Sequence, residues 1–207
     1  MLTVCYAAKG GQGCSTIAAL LALLNPPATL IDVAGDLPAL LGVDTAGDYG
    51  LTDHLTSSDP LGPWDLRSVQ IAPGVDLVPQ GLQPVEAVAA RRWTELVGQL
   101  TAPGTDRWIL DAGTLGYLDG ADQEILITRH CYLALRRAAA LLRRPPSVIS
   151  VHEAGRSHDR RDIERVIGAP VVATVDVDHT IARAIDAGLV TAGIPNRARP
   201  ALGHIRL

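Results

Sequence analysis

The sequence predicts an α/β fold, a doubly wound, mainly parallel sheet with helices on both faces. Short apolar segments alternate with helical patterns along the chain, which calls for right-handed βαβ crossovers. A glycine-rich turn at 9–16, Asp32 and Asp111 each follow or end a predicted strand, and such strand ends meet at one ligand-binding edge. With 207 residues, 47% of them hydrophobic, residues 1–207 are predicted to form a single domain.

The first predicted unit is a strand, a glycine-rich turn and a helix. Residues 2–6 are apolar and β-prone, and residues 17–24 form an apolar helix that stops before Pro26 and Pro27. Three glycines within 9–16 let the backbone wrap around an anion, with N–H groups and the helix N-terminus facing it. This context is typical of a phosphate-binding loop. The alternative is a glycine-rich turn without a ligand.

The loop lacks the lysine of the ordinary pattern G-x-x-x-x-G-K-[ST], because Cys14 stands there. A thiol is short and uncharged, so it cannot reach a phosphate as an ammonium group does. Ser15 occupies the place where such loops put a Mg²⁺ ligand. Lys9, the only lysine in the chain, opens the loop. A thiol at a helix N-terminus can have a lowered pKa, which leaves a redox role for Cys14 as an alternative.

The segment K-G-G-Q-G-C-S-T at 9–16 resembles the deviant Walker A motif of the ParA/MinD family of P-loop NTPases, K-G-G-x-G-K-[ST]-T. Seven of the eight positions match, and the exception is the lysine replaced by Cys14. The resemblance implies ATP or ADP and Mg²⁺ as cofactors, and a homodimer in which Lys9 reaches the partner's phosphates. The implied nucleotide-binding residues are Lys9, Gly10, Gly11, Gln12, Gly13, Cys14, Ser15, Thr16 and Asp111.

The strand predicted at 29–33 carries Asp32 near its end. It resembles the family strand whose terminal Asp is linked to Mg²⁺ or orients water, and the following 34–42 resembles switch I. The family's second Asp is Ala34 here, so Asp36 is the nearest substitute. The implied catalytic residues are Lys9, Asp32 and Asp36. Alternatively, Asp36 is an N-cap, because Leu37 and Pro38 begin a helix.

The strand predicted at 108–111 ends in Asp111 and resembles Walker B, with switch II after it. An aspartate at the carboxyl end of a central strand lies beside the phosphate loop and can hold Mg²⁺ through water. The implied metal ligands are therefore Ser15 and Asp111. The alternative for Asp111 is a cap in a βα turn.

The remaining elements follow from apolar periodicity and from proline and glycine stops. The other predicted strands are 75–78, 124–128, 147–151 and 171–175. The other predicted helices are a short one within 48–55, then 84–100, 132–144, 159–167 and 179–187. Segment 56–74 is predicted as loop or short helix, and Arg91 and Arg92 are predicted on the solvent face of helix 84–100.

Two features refine the expected function. The pattern D…LLG…GL-x-D-x-L across 36–55 resembles the CpaE/TadZ-like branch, which serves Tad/Flp pilus assembly. The family's adenine-reading Asn is missing after strand 147–151, where Val151, His152 and Glu153 stand. Because the loop lysine is absent, hydrolysis is expected to be weak or absent. The leading prediction is a dimeric positioning or assembly factor with a protein partner in a pilus, secretion or positioning system. Alternatives are an active ATPase switch for DNA or cargo partitioning and a nucleotide-free scaffold.

Composition limits the other function classes. The net charge of −4 argues against a broadly basic nucleic-acid binder, although the arginines within 136–144 and 197–206 could form a local patch. The start lacks a signal-peptide pattern, and no apolar run reaches ~18–20 residues, which predicts a cytoplasmic protein. Pro200 and Gly203 interrupt the tail, which argues against a MinD-type membrane helix.

Overall fold

A computed structural model describes residues 1–45, 49–58, 66–104, 106–116 and 118–207. Asp48 of the predicted turn and 59–65 of the predicted loop lie outside the described residues. The described strands form one eight-stranded sheet in the order β3-β4-β2-β5-β1-β6-β7-β8, parallel except for the antiparallel β3–β4 pair. The strands are β1 Leu2–Tyr6, β2 Ala28–Asp32, β3 Val69–Ala72, β4 Val75–Val78, β5 Trp108–Asp111, β6 Gln123–Arg129, β7 Ser147–His152 and β8 Val171–Asp176.

Helices cover both faces of the sheet, which confirms the predicted doubly wound α/β architecture. One buried apolar cluster includes residues of α1, α2, α7 and α8, and the other includes residues of α3, α4, α5 and α6. Both faces of the central strands are therefore buried, as an apolar parallel sheet requires. The helices are α1 Cys14–Leu24, α2 Leu37–Leu41, α3 Leu51–Thr56, α4 Ala90–Leu100, α5 Tyr132–Ala139, α6 Arg160–Ile167, α7 His179–Asp186 and α8 Ile194–Leu202.

Strand β1 sits at the point where the strand order reverses. It pairs with β5 on one side and β6 on the other, and β5 also pairs with β2. Register places Cys5 opposite Asp111, and Asp111 opposite Asp32. The loop after β1 and the two aspartates therefore meet at one carboxyl edge, where open α/β sheets form their ligand crevice.

The prediction of one helix over 84–100 was wrong. A 3₁₀ turn at Val85–Ala87 precedes α4, and Val88 and Ala89 between them have extended backbone. Arg91 is exposed as predicted, but Arg92 is buried. Its guanidinium donates to the carbonyls of His54 and Leu55, at 3.2 and 3.1 Å, because these groups at the end of α3 need donors. The charged end of Arg92 thus ties α4 to α3.

Two further boundaries and the C-terminal tail differ from prediction. Residues 69–72, predicted within a loop, form β3, which turns through Pro73 and Gly74 into β4. Helix α5 ends at Ala139 rather than at 144. Pro200 lies inside α8, which packs on α1 and buries Ala198 and Leu202. Packing against α1 thus stabilises α8 even though it contains Pro200, a residue type that usually ends a helix. Among the described residues, no helix is both long and apolar enough to cross a bilayer.

Candidate nucleotide-binding site

The loop between β1 and α1 has the backbone of an anion cradle. Gly11 and Gly13 have φ values of 74° and 90°, in the left-handed region that side chains disfavour. Gly13 immediately precedes α1, so the first N–H groups of this 11-residue helix face the loop. Positive charge at that helix end favours an anion.

A cavity of about 640 Å³ opens over this loop, at the carboxyl edge of the sheet. Lys9 is its one cationic side chain among the described lining residues, while Asp36 and Asp186 bring carboxylates. The cavity is lined by Ala7, residues 9–16, Ala34, Asp36, Ala39, Leu40, Gly113, Thr114, Ile185 and Asp186. Every predicted loop residue from Lys9 to Thr16 therefore borders one cavity, together with Asp36.

Gln12 holds the loop in place, a role that its position in the motif does not indicate. Its side chain is 3% exposed, and its amide donates to the Gly10 carbonyl at 3.1 Å. Its side-chain oxygen accepts from the backbone N–H of Arg129 at 3.0 Å. The glutamine thus fixes the loop to the end of β6.

Replacing Gln12 with Ala should loosen this tether. Loss of both hydrogen bonds should lower the free energy of unfolding by about 1–3 kcal/mol. Hydrogen exchange at the Arg129 amide should become faster, since that N–H loses its acceptor. Gln12→Glu is the matched control, because it keeps an acceptor oxygen but loses the donor to Gly10. If the Arg129 amide is equally protected from hydrogen exchange in Gln12→Ala and in the unchanged protein, Gln12 does not hold the loop to β6.

Cys14 is the first residue of α1 and is 7% exposed, with its thiol beside Asp111. Burial, reinforced by the negative charge of Asp111, raises the pKa of Cys14 well above its ordinary value. The thiol is therefore neutral near pH 7. The suggestion of a lowered pKa at this helix end was wrong, because desolvation outweighs the helix dipole here.

Asp111 is fully buried and only partly satisfied. Its Oδ1 accepts from the Gly113 N–H at 3.1 Å, whereas its Oδ2 has no hydrogen-bond partner among the described residues. Burial raises its pKa, while the nearby hydroxyl of Ser15 and thiol of Cys14 act in the opposite direction. A buried carboxylate oxygen without a partner, next to a serine hydroxyl, suits a Mg²⁺ ion with its water ligands. Ser15 and Asp111 therefore fit the predicted metal site.

The sequence predicts catalytic roles for both Asp32 and Asp36, with N-capping as the alternative for Asp36, and the structure places the two carboxylates differently. Asp32 is fully buried, and its carboxylate accepts from the N–H groups of Gly35 at 2.7 Å and Leu37 at 3.2 Å. It therefore satisfies the start of α2 itself. Asp36 occupies the N-cap position of α2, but its side chain makes no capping hydrogen bond there. The Asp36 carboxylate instead lines the cavity.

Lys9 is half-buried, and its ammonium donates to the carbonyl of Gly10 at 2.9 Å. In this chain alone, therefore, the ammonium folds back on its own loop. A donor on a flexible four-carbon stem can exchange such a contact for a phosphate. The position is compatible with a contact in trans, which requires a second chain.

A second, apolar cleft of about 110 Å³ adjoins the cavity, sharing Gly13, Thr16 and Ile185 with it. Its walls come from α1, α7 and the ends of β6, β7 and β8. His152, at the place of the family's Asn, pairs through Nδ1 with Asp176 at 2.8 Å. The cleft is lined by Gly13, Thr16, Ile17, Leu20, Arg129, Val151, residues 175–178, Ile181, Ala182 and Ile185.

Fold and loop together define a P-loop NTPase-like α/β protein. Comparison with protein-family models and with curated proteins finds no match. Among solved structures, the chain is similar to a ParA family ATPase from Chlorobium tepidum, with 21% identity, TM-score 0.73, and coverage of 98% of this chain and 95% of that one.

Two MinD structures resemble the chain in the same way. The MinC:MinD cell division complex of Aquifex aeolicus gives 18% identity and TM-score 0.73, covering 100% and 98% of the two chains. MinD of Pyrococcus horikoshii, complexed with Mg-ADP, gives 18% identity and TM-score 0.64, covering 98% and 90%. At such identities the likeness establishes the fold, which is that of ParA and MinD proteins.

Proposed function

We propose that this chain is a ParA/MinD-type positioning or assembly factor, a single domain whose activity depends on nucleotide. The observation that carries the proposal is the loop at 9–16, which faces a cavity of about 640 Å³, with Asp111 buried next to Ser15 of that loop and its Oδ2 without a hydrogen-bond partner among the described residues. The fold shared with ParA and MinD proteins supports the same assignment. The ligand is ATP or ADP with Mg²⁺.

In this proposal each part of the site has one task. The N–H groups of the loop and of the first turn of α1 hold the phosphates. Ser15 and Asp111 hold Mg²⁺ with water, and the metal neutralises phosphate charge. Asp36 orients water, because its carboxylate lines the cavity whereas both oxygens of Asp32 already accept backbone N–H groups.

Hydrolysis is weak or absent in this proposal. Phosphoryl transfer depends on positioning and on neutralising the charge that develops on the phosphate oxygens. Cys14 brings no positive charge, because a thiol has no cationic form, and its raised pKa keeps it protonated and neutral. Lys9 remains, and it is available to the partner of a homodimer. Nucleotide then stabilises or gates the dimer more than it is consumed.

The finer assignment is to the CpaE/TadZ-like branch, in which the protein would act in the cytoplasm with a protein partner of a pilus or secretion system. Its support is the pattern across 36–55 and the absence of the loop lysine. In a solved complex, MinD binds MinC. An analogous protein partner is proposed here, in preference to nucleic acid or a membrane.

Titration of the purified protein with ATP and ADP, with and without Mg²⁺, tests the proposal. We expect binding in the micromolar range that requires Mg²⁺, and a shift in solution mass from monomer to dimer with ATP. Lys9→Ala should lose the dimer and, with it, the part of the ATP affinity that dimer formation supplies, whereas the matched control Arg91→Ala, on the exposed face of α4, should change neither. A monomer under all conditions would refute the dimer.

A nucleotide-free scaffold is the second candidate, and the charge of the site favours it. Among the described lining residues, Asp36 and Asp186 face a single ammonium, Lys9, and Asp32 and Asp111 lie buried close by. This balance repels a nucleotide unless Mg²⁺ accompanies it. A dimer that forms without measurable binding of ATP or ADP would establish the scaffold and reject the switch.

A further inference from the structure

Arg129 is a partly buried cation that the proposed mechanism does not yet use. It ends β6, and its backbone N–H already anchors Gln12 of the loop. Its side chain borders the apolar cleft together with Gly13 and Thr16. Its Nε is inaccessible to solvent and has no hydrogen-bond partner among the described residues. A guanidinium donor buried without an acceptor costs free energy, so this atom is suited to an acceptor from a ligand.

The carboxylates near Arg129 already have partners. Glu153 feels the charge of Arg129, which contributes to lowering its pKa, but the larger cause is its hydrogen bond from Arg156. Asp176, which also borders the cleft, pairs with His152. Within the described part of the chain, the nearby acidic groups therefore leave the Arg129 Nε without an acceptor.

The position of Arg129 identifies which part of a nucleotide it meets. Phosphates held by the loop would occupy the larger cavity, and the flat faces of the base would pack against the apolar walls of the adjoining cleft of about 110 Å³. The two spaces share Gly13 and Thr16, so the phosphate attached to the ribose lies at their junction. Arg129 borders the cleft beside these same two residues.

We propose that Arg129 binds the ribose-linked phosphate of the nucleotide from the base side of the loop. It thereby supplies a positive charge that Cys14 cannot provide. Arginine suits this task, because its planar guanidinium donates two parallel hydrogen bonds to phosphate oxygens. The inference rests on the proposed nucleotide binding, and it adds a residue outside the loop motif to the site.

Displacement of a fluorescent ATP analogue by ATP, ADP, AMP and adenosine, in the presence of Mg²⁺, tests the assignment. Arg129→Gln should weaken ATP, ADP and AMP alike, by about 10- to 100-fold, because all three carry the ribose-linked phosphate. Adenosine should bind equally to both proteins. Arg129→Lys should recover part of the loss, and Arg137→Gln, on the exposed face of α5, is the matched control.

The outcomes separate this inference from the proposed function. Every variant keeps the backbone N–H that binds Gln12, so the loop tether is retained, and thermal unfolding of each variant checks that its stability is unchanged. If the unchanged protein binds nucleotide and Arg129→Gln binds it equally well, the role of Arg129 is refuted and the proposed function stands. A loss that extends equally to adenosine would make Arg129 a base contact and overturn the assignment. If the unchanged protein binds none of the four ligands, both proposals fail.

Discussion

Cys14→Lys should tighten ATP binding by about 10- to 100-fold in the presence of Mg²⁺. A charge-assisted hydrogen bond in a water-poor site contributes about 1.5–3 kcal/mol, and this is the contact that the thiol cannot make. The side chain at position 14 borders the large cavity, so a longer chain can extend into open space. Its ammonium would also lie beside the buried Asp111, whose pKa is raised by that burial. Calorimetric titration with ATP measures the change directly.

Cys14→Met is the matched control, because it lengthens the side chain to a similar extent without adding charge. It should leave the affinity for ATP within about twofold. Turnover should rise in Cys14→Lys alone, since the ammonium also neutralises charge in the transition state. If Cys14→Lys folds with unchanged stability yet binds ATP no better than Cys14→Met, the loop is not a phosphate site, and the scaffold assignment follows.

The parts of the site that could be predicted are those with a strong local pattern. Leu2–Tyr6 is a strand as predicted, and Gly11 and Gly13 after it have the backbone conformation that only glycine adopts readily. Asp111 also follows from sequence alone, because an aspartate ending a central apolar strand must lie at the ligand edge. These inferences need only the order of residues and the rules of parallel sheets.

The residues that could not be predicted act through contacts between distant segments. Gln12 stands at a free position of the motif, and its importance arises from the Arg129 N–H, 117 residues away. Arg92 follows the helical pattern of a surface residue, but its guanidinium satisfies carbonyls at the end of α3. Neither partner is visible in the local sequence, because hydrogen bonds across the fold leave no periodic pattern.

Asp36 shows how two local rules can compete. A carboxylate before Leu37 and Pro38 satisfies the capping pattern, yet Asp36 makes no capping hydrogen bond, and the N–H groups of Gly35 and Leu37 bind Asp32. Asp32 ends β2, and the tight turn at Gly35 brings the N–H of Leu37, the first residue of α2, back onto it. The structure therefore leaves the Asp36 carboxylate at the cavity, which a sequence pattern alone could not decide.

The free energy of unfolding should fall as the pH rises from about 4 to about 7, and Asp32 should be a main cause. Burial raises the pKa of Asp32 from 3.8 to about 7, although two backbone N–H groups favour its charged form. Between these values the folded protein holds a proton that the unfolded chain releases. The contribution of Asp32 to the free energy of unfolding is therefore fully present below about pH 4 and is lost as the pH rises through about 7. The total loss is at most about 4 kcal/mol.

Asp32→Asn isolates this contribution, because it removes the titration at the same position. Urea unfolding of both proteins across pH 4–8, without Mg²⁺, measures the free energy of unfolding of each. The unchanged protein should lose its advantage in this free energy over Asp32→Asn, or become the less stable of the two, as the pH rises. The amide must point its NH₂ at one of the two N–H donors, which costs about 1–3 kcal/mol at every pH. The test is therefore how steeply the free energy of unfolding changes with pH, and not the constant difference in that free energy between the two proteins. Asp36→Asn, at an exposed carboxylate of the same edge, should keep the slope of the unchanged protein. Equal slopes in all three would show that Asp32 is already ionised at pH 4, held by its two backbone donors.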